Sequence, residues 1–174
     1  MSDLFDRVTA DQDIFKKLLG KLPGFSGYFE RENRRAADKM LREAIASRYE
    51  EQWQRLSEVQ RDLISQGAIE FVDDVESIAI KLRQFIDRIG TAAYGYAGFF
   101  DSVKVSQAEL AQVYQYDFAM MSSVEEISRG VDNIEASIGT DGLPAAIRSL
   151  RSLAQQSIDT FERRSEVLQG GIVQ

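Results

Sequence analysis

The sequence contains neither histidine nor cysteine. Without imidazole there is no Ser-His-Asp relay, no histidine general base and no histidine-ligated metal. Without thiols there is no disulfide framework, no thiol nucleophile and no thiolate metal site, which accords with a reducing compartment. A di-metal site in a helical bundle draws on Glu-x-x-His pairs, and none can form. Proline is scarce: Pro23 and Pro144 are the only two in 174 residues. So few breakers favour long helices over many short strands. Long apolar runs are missing as well. The longest stretch free of charged and strongly polar residues is 92–100, far short of a bilayer span. Met1-Ser2-Asp3-Leu4-Phe5-Asp6 lacks the basic-then-apolar pattern of a secretory leader. The expected location is the cytoplasm, with peripheral attachment at the inner membrane face as its variant.

Hydrophobic residues make up 44% of the chain, enough for one core and too short a chain for two. The net charge of −7 is uneven. Residues 1–66 carry 12 basic and 12 acidic side chains, and residues 67–174 carry 9 and 16. An acidic balance argues against a nucleic-acid partner. No P-loop, nucleophile elbow or dinucleotide fingerprint is present, and Gly95-Tyr96-Ala97-Gly98 is not one. The expectation is a non-enzymatic protein with no catalytic residue, no cofactor and no metal.

Periodicity predicts an all-α protein: an antiparallel bundle of four long helices, a short N-terminal amphipathic helix and an aromatic, glycine-rich connector. Thr9-Ala10-Asp11-Gln12 reads as a capping box ahead of Ile14, Phe15, Leu18, Leu19 and Leu22, and Pro23-Gly24 closes that segment. Residues 26–66 form the next helix. Leu41, Ile45, Tyr49, Trp53, Leu56, Val59 and Leu63 cover 22 residues in six steps, a nearly straight-helix period. Its N-terminal half should project beyond the bundle, since no other segment matches its length, and Gly67 stops or kinks it. Over residues 68–89, Phe71, Val75, Ile78, Leu82, Phe85 and Ile89 step by 4, 3, 4, 3, 4, a heptad seam, and Gly90 ends it. Ser106-Gln107-Ala108-Glu109 starts the next helix, whose seam runs Leu110, Val113, Asp117, Met120, Val124, Ile127, Val131, Ile134 and Ile138. Pro144 fits the first turn of the last helix, with Leu143, Ile147, Leu150, Ala154, Ser157, Phe161 and Leu168 as its stripe. The last three helices should pack as antiparallel neighbours. The units are 1–25 (amphipathic helix), 26–169 (bundle) and 170–174 (flexible tail).

Four features could carry function. Residues 14–22 are basic and amphipathic inside an acidic protein, with Phe15, Lys16, Lys17, Leu19 and Lys21 as contact candidates for a partner or an anionic membrane; the plainer reading is a bundle element. Arg31, Arg34, Arg35, Lys39 and Arg42 form a basic block interleaved with Glu30, Glu32, Asp38 and Glu43. Pairs such as Glu30 with Arg34, Asp38 with Arg42 and Glu43 with Lys39 make it a solvated, self-paired face. Read as a docking site, it would meet the six acids of residues 107–138 in a neighbouring subunit. Tyr94, Tyr96, Phe99 and Phe100 lie among Gly90, Gly95 and Gly98, either capping the core or serving as exposed anchors. Asp117 interrupts an apolar seam, so it should be a buried structural carboxylate with a donor. Candidate donors are Arg83, Arg88, Lys104, Tyr94 and Tyr96.

A short amphipathic helix followed by long charged helices resembles, in element order and lengths, the bacterial membrane-stress proteins of the phage-shock type. The glycine-rich break at 90–105 departs from the continuous hairpin of that family, and no residue is carried over. The expected function is a protein-interaction or scaffold bundle, self-associating as a homo-oligomer with protein partners. The alternative is a peripheral membrane- or granule-surface protein that uses the amphipathic helix.

Overall fold

The computed structural model describes residues 34–92 and 107–170. The amphipathic segment, the aromatic connector and the tail after residue 170 lie outside the described residues. The rest is all-helical, and four helices pack together. They are α1 (Arg34–Ser65), α2 (Val72–Thr91), α3 (Gln107–Ser137) and α4 (Leu143–Gly170), with one 3-10 turn at Ile69–Phe71.

Cross-helix pairs fix the directions. Gln60 reaches Glu76, Arg83 reaches Glu50, and Arg42 reaches the Ile89 carbonyl, so α1 and α2 are antiparallel. Asp74 meets Arg151, Lys81 meets Gln155 and Arg88 meets Glu162, so α2 and α4 run parallel. Tyr49 meets Met120 and Arg55 meets Ser128 and Asp132, so α1 and α3 also run parallel. The bundle is therefore two antiparallel hairpins side by side, in the ring order α1, α2, α4, α3. The expectation that the last three helices are antiparallel neighbours holds for α3 and α4 and is corrected for α2. α2 and α3 stand on a diagonal, and α2 borders α4 in parallel. The apolar faces explain the arrangement, because each helix buries one stripe toward a common centre.

The seams do most of the packing. Val75, Ile78, Leu82, Phe85 and Ile89 of α2 are buried, as are Val113, Met120, Val124, Ile127, Val131 and Ile134 of α3. Burying each such side chain stabilises by roughly 1.5–3 kcal/mol before the entropy of ordering is counted. In α1 the stripe shifts. Gln52 takes the inward position, and Trp53 is half-buried with the Arg83 guanidinium 5.2 Å from its ring. Leu41, Ile45 and Tyr49 are at most 1% exposed. The expected projection is corrected from Leu41 onward, where α1 is covered by its own chain; residues 26–33 of the expected helix lie outside the described residues.

Two tight turns close one end, here the turn end. Gly67 sits at φ +79°. The Ala68 N–H donates to the Leu63 carbonyl at 2.8 Å and the Gly67 N–H to the Ile64 carbonyl at 3.2 Å, which is a Schellman termination. Gly139 has the same φ after α3. Gly90, by contrast, does not end its helix, which continues to Thr91. α1 begins, α2 ends, α3 begins and α4 ends at the opposite end, here the connector end.

The two glycines should respond oppositely to alanine. No atom stands within 4 Å of a Cβ added at either. Gly67→Ala should destabilise by about 1–2 kcal/mol through its left-handed backbone alone. Gly90→Ala should stabilise by up to about 1 kcal/mol. Urea denaturation of both variants checks this, and equal signs would contradict the assignment.

Candidate functional site

Near the connector end the apolar seams are interrupted by charge. Asp38 and Arg42 of α1, Asp117 of α3 and Arg164 of α4 are 7%, 2%, 0% and 0% exposed. They form one continuous chain. The Arg164 Nε–H donates to Asp117 Oδ1 at 2.6 Å, and Nη2 lies 3.4 Å from Oδ2. The same Nη2 donates to Asp38 Oδ1. Asp38 Oδ2 accepts from Arg42 Nε at 2.8 Å, and Arg42 Nη1 donates to the Ile89 carbonyl at 2.9 Å. Two cations and two anions tie all four helices together with no net formal charge.

Sequence position explains why these side chains meet. Asp117 is three residues before Met120 and four after Val113, on the buried face of α3. Arg164 is three after Phe161 and four before Leu168, the corresponding face of α4. Asp38 is three before Leu41. All three carry the 3,4 spacing of their seams, so the charges face inward by register. One turn further along, the Tyr49 hydroxyl lies 3.0 Å from the Met120 carbonyl and 2.9 Å from Ser157 Oγ. Tyr49 and Phe85 rings are 4.6 Å apart, and Phe85 meets Phe161 edge-on at 5.8 Å. Burial pushes the Tyr49 hydroxyl above its usual range, so it acts as a neutral donor.

The electrostatics are opposed. Burial pushes the Asp117 carboxyl up to about 6, while Arg164 pulls it down. Burial disfavours the Arg164 cation, but Asp117 and Asp38 outweigh it and hold the guanidinium above its ordinary value. At neutral pH Asp117 is therefore a carboxylate held against the Arg164 guanidinium. Among the described residues no group of three or more acidic side chains could hold a metal ion. Each charge of the chain is met by a partner within the fold, the geometry of a fixed internal tie.

The donor to Asp117 is Arg164, not Arg83 or Arg88. Arg83 pairs with Glu50 at 2.8 Å and Arg88 with Glu162 at 3.3 Å on the outside of the bundle. Lys104, Tyr94 and Tyr96 lie outside the described residues, as do Phe15, Lys16, Lys17, Leu19, Lys21, Arg31, Phe99 and Phe100. Arg34 and Arg35 stand in the first turn of α1. Asp38 and Arg42 are a correction: their pair belongs to the core and not to a solvated face. Lys39 and Glu43, at 3.8 Å, do make an exposed pair. The acids of α3 are largely engaged within the chain. Arg55 holds Asp132 at 2.5 Å and Glu135 at 3.1 Å, and Arg129 stands 4.0 Å from Glu125. Comparison with protein-family models, with curated proteins and with solved structures returned no match.

Three variants resolve the tie. Arg164→Met strands Asp117 and should cost about 3–5 kcal/mol. Asp117→Asn should cost much less, because Arg164 keeps Asp38 and the neutral carboxyl is already close in energy. The double variant Asp117→Leu with Arg164→Met leaves the balanced Asp38–Arg42 pair and should recover most of the loss. pH gives the same group a signature. A raised folded pKa means that the Asp117 contribution to stability is fully present below its ordinary value of 3.8 and is lost as pH rises through about 6. Wild-type Tm should fall relative to Asp117→Asn between pH 4.5 and 7.5, as followed by circular dichroism. Parallel Tm curves would exclude Asp117 as the titrating group.

Proposed function

We propose that the protein is a non-enzymatic, partner-binding helical bundle that self-associates, with its binding elements attached at the connector end. One observation carries this reading. The segment before α1, the segment joining α2 to α3 and the tail after α4 all depart from the same end of the bundle, while two tight turns seal the other. The basic amphipathic residues 14–22 and the aromatic group Tyr94, Tyr96, Phe99 and Phe100 are thus tethered to one rigid platform. Binding groups mounted on a rigid scaffold are a common division of labour.

Self-association is proposed through those segments and not through the flanks. Leu41, Ile45 and Tyr49 have no exposed surface to offer, and most acids of α3 already have partners in their own chain. A protein partner or a second copy would engage the aromatic anchors, with Arg31, Arg34 and Arg35 supplying charge. The same tethering favours a second reading, attachment to an anionic membrane, because basic and interface-seeking aromatic groups are carried at one end. No described helix is long and apolar enough to cross a membrane.

Two variants test the platform: deletion of residues 1–22, and Ser at positions 94, 96, 99 and 100 together. Both should keep the helical circular dichroism and cooperative melt of the parent. Both should weaken self-association in sedimentation equilibrium at roughly tens of micromolar, a range where mass action is informative. Flotation with anionic vesicles that is lost in high salt would select the membrane reading. A wild-type monomer that also ignores vesicles would contradict both.

A further inference from the structure

Large apolar side chains are few on the outside of the bundle. Among the described residues Ile64, Ile69 and Ile80 stand exposed, at 54%, 64% and 48%. One such residue alone would be ordinary. All three belong to the α1–α2 hairpin and share one edge of it. The Gln60–Glu76 hydrogen bond and the Arg83–Glu50 pair trace the line where the two helices meet solvent. Ile64 follows Gln60 by one turn on the α1 side, and Ile80 lies between Glu76 and Arg83 on the α2 side. Ile69 stands in the 3-10 turn that joins the two helices. Half-buried Trp53, with the Arg83 guanidinium over its ring, continues the strip. The antiparallel pairs set Ile80 beside residues 53–56 of α1, so the strip runs roughly 15 Å to Ile64, about three helical turns. The same edge is acidic. Glu50, Glu58, Glu70, Asp73, Glu76 and Asp87 stand against Arg61 and Arg83, and Arg83 is already held by Glu50 and Asp87. Asp74 and Lys81 turn the other way, to Arg151 and Gln155 of α4.

We infer that this edge docks a basic amphipathic helix of a partner protein. Apolar residues at helical spacing over about three turns cover the isoleucines. Lysine or arginine beside them meets Glu70, Asp73 and Glu76, which have no cationic partner among the described residues. Opposite charge around an apolar contact sets orientation and speeds encounter. A second copy offers the same acidic edge and is repelled, as are nucleic acid and anionic membranes. The chain's own residues 14–22 are basic and apolar but join the bundle at the connector end. From Arg34 to Trp53 is about 30 Å along α1, so residues 23–33 would be drawn out over most of their roughly 40 Å reach. The α3–α4 hairpin has no exposed large apolar side chain among the described residues and serves as the internal comparison. The edge stands apart from the connector-end segments, so this inference is independent of the function proposed there.

The probe is a synthetic peptide of roughly 18 residues, with leucine on one helical face and lysine on the other. It is titrated against the full-length protein and followed by the methyl resonances of isoleucine. A peptide with glutamate for lysine tests the charge, and one of the same composition in scrambled order tests the apolar stripe. The lysine peptide should give saturable shifts at Ile64, Ile69 and Ile80, while half-buried Ile138 and Ile158 of the other hairpin stay still. Both control peptides should bind at least about tenfold more weakly. Ile64→Ser with Ile80→Ser, both exposed changes, should weaken the lysine peptide by at least about tenfold without moving Tm. Asp73→Asn with Glu76→Gln should weaken it as well and flatten its dependence on salt. Equal shifts on both hairpins, affinity that survives the paired serine changes, or no binding at all would overturn the inference. Isoleucine shifts that move with protein concentration alone would overturn it too, by assigning the edge to a second copy.

Discussion

The pairing of Asp117 with Arg164 is the constraint on which the connector end depends. Both side chains are fully buried, so each would be prohibitive alone. Together with Asp38 and Arg42 they form a neutral chain whose hydrogen bonds reach every helix of the bundle. Such a tie adds little net stability, because desolvation offsets most of the attraction. What it supplies is register. An apolar seam tolerates a slide by one heptad, but Arg164 finds its carboxylates in a single alignment of α4 against α1 and α3. The parallel placement of α1 beside α3 is fixed by the same alignment, and Arg55 repeats it on the surface with Asp132 and Glu135.

The two ends of the molecule then differ in kind. At the turn end, hydrophobic packing and two glycine-terminated turns hold the helices, and Leu63, Val75, Ile134 and Leu143 are buried there. At the connector end, where three segments depart, buried directional charge pairs are added to the apolar packing of Leu41, Ile89, Val113 and Leu168. A platform that must keep its tethered segments in fixed relative positions gains from that directionality, since one misaligned helix would strand a buried charge. Gly130 adds a second fixed point about two turns from the turn end of the α3–α4 pair. A Cβ there would meet Leu150 Cδ1 at 3.0 Å, so the helices approach closely at that level.

Much of the bundle was legible in the spacing of apolar residues. The 3,4 steps of α2 and α3 mark the buried faces because a helix repeats every 3.6 residues. The end of α1 was legible in Gly67. Ring order was not, because an apolar stripe does not say which neighbour it meets. Asp117 was visible as a charge in a seam, and its true partner left a trace: the stripe of α4 jumps seven residues from Phe161 to Leu168, and Arg164 fills the gap at the seam position. Asp38, three residues before Leu41, carried the same signal. It was masked by Arg42 four residues on, which makes the pair look like an ordinary surface bridge. The inward turn to Gln52 in place of Trp53 was hidden as well, since only the Arg83 contact gives the indole a reason to stay at the edge. The exposed edge shared by Ile64 and Ile80 has no sequence trace, because it depends on how α1 and α2 meet in space.

The central claim is that Arg164 is an internal tie held by two carboxylates. Its Nε–H proton reports this directly, through nuclear magnetic resonance of the guanidinium groups and their exchange with solvent. A tied Arg164 predicts a resolved Nε–H resonance that exchanges only when the bundle opens, as slowly as the core amides, while the exposed Arg129 exchanges freely. An Arg164 Nε–H that exchanges as fast as that of Arg129 would contradict the account.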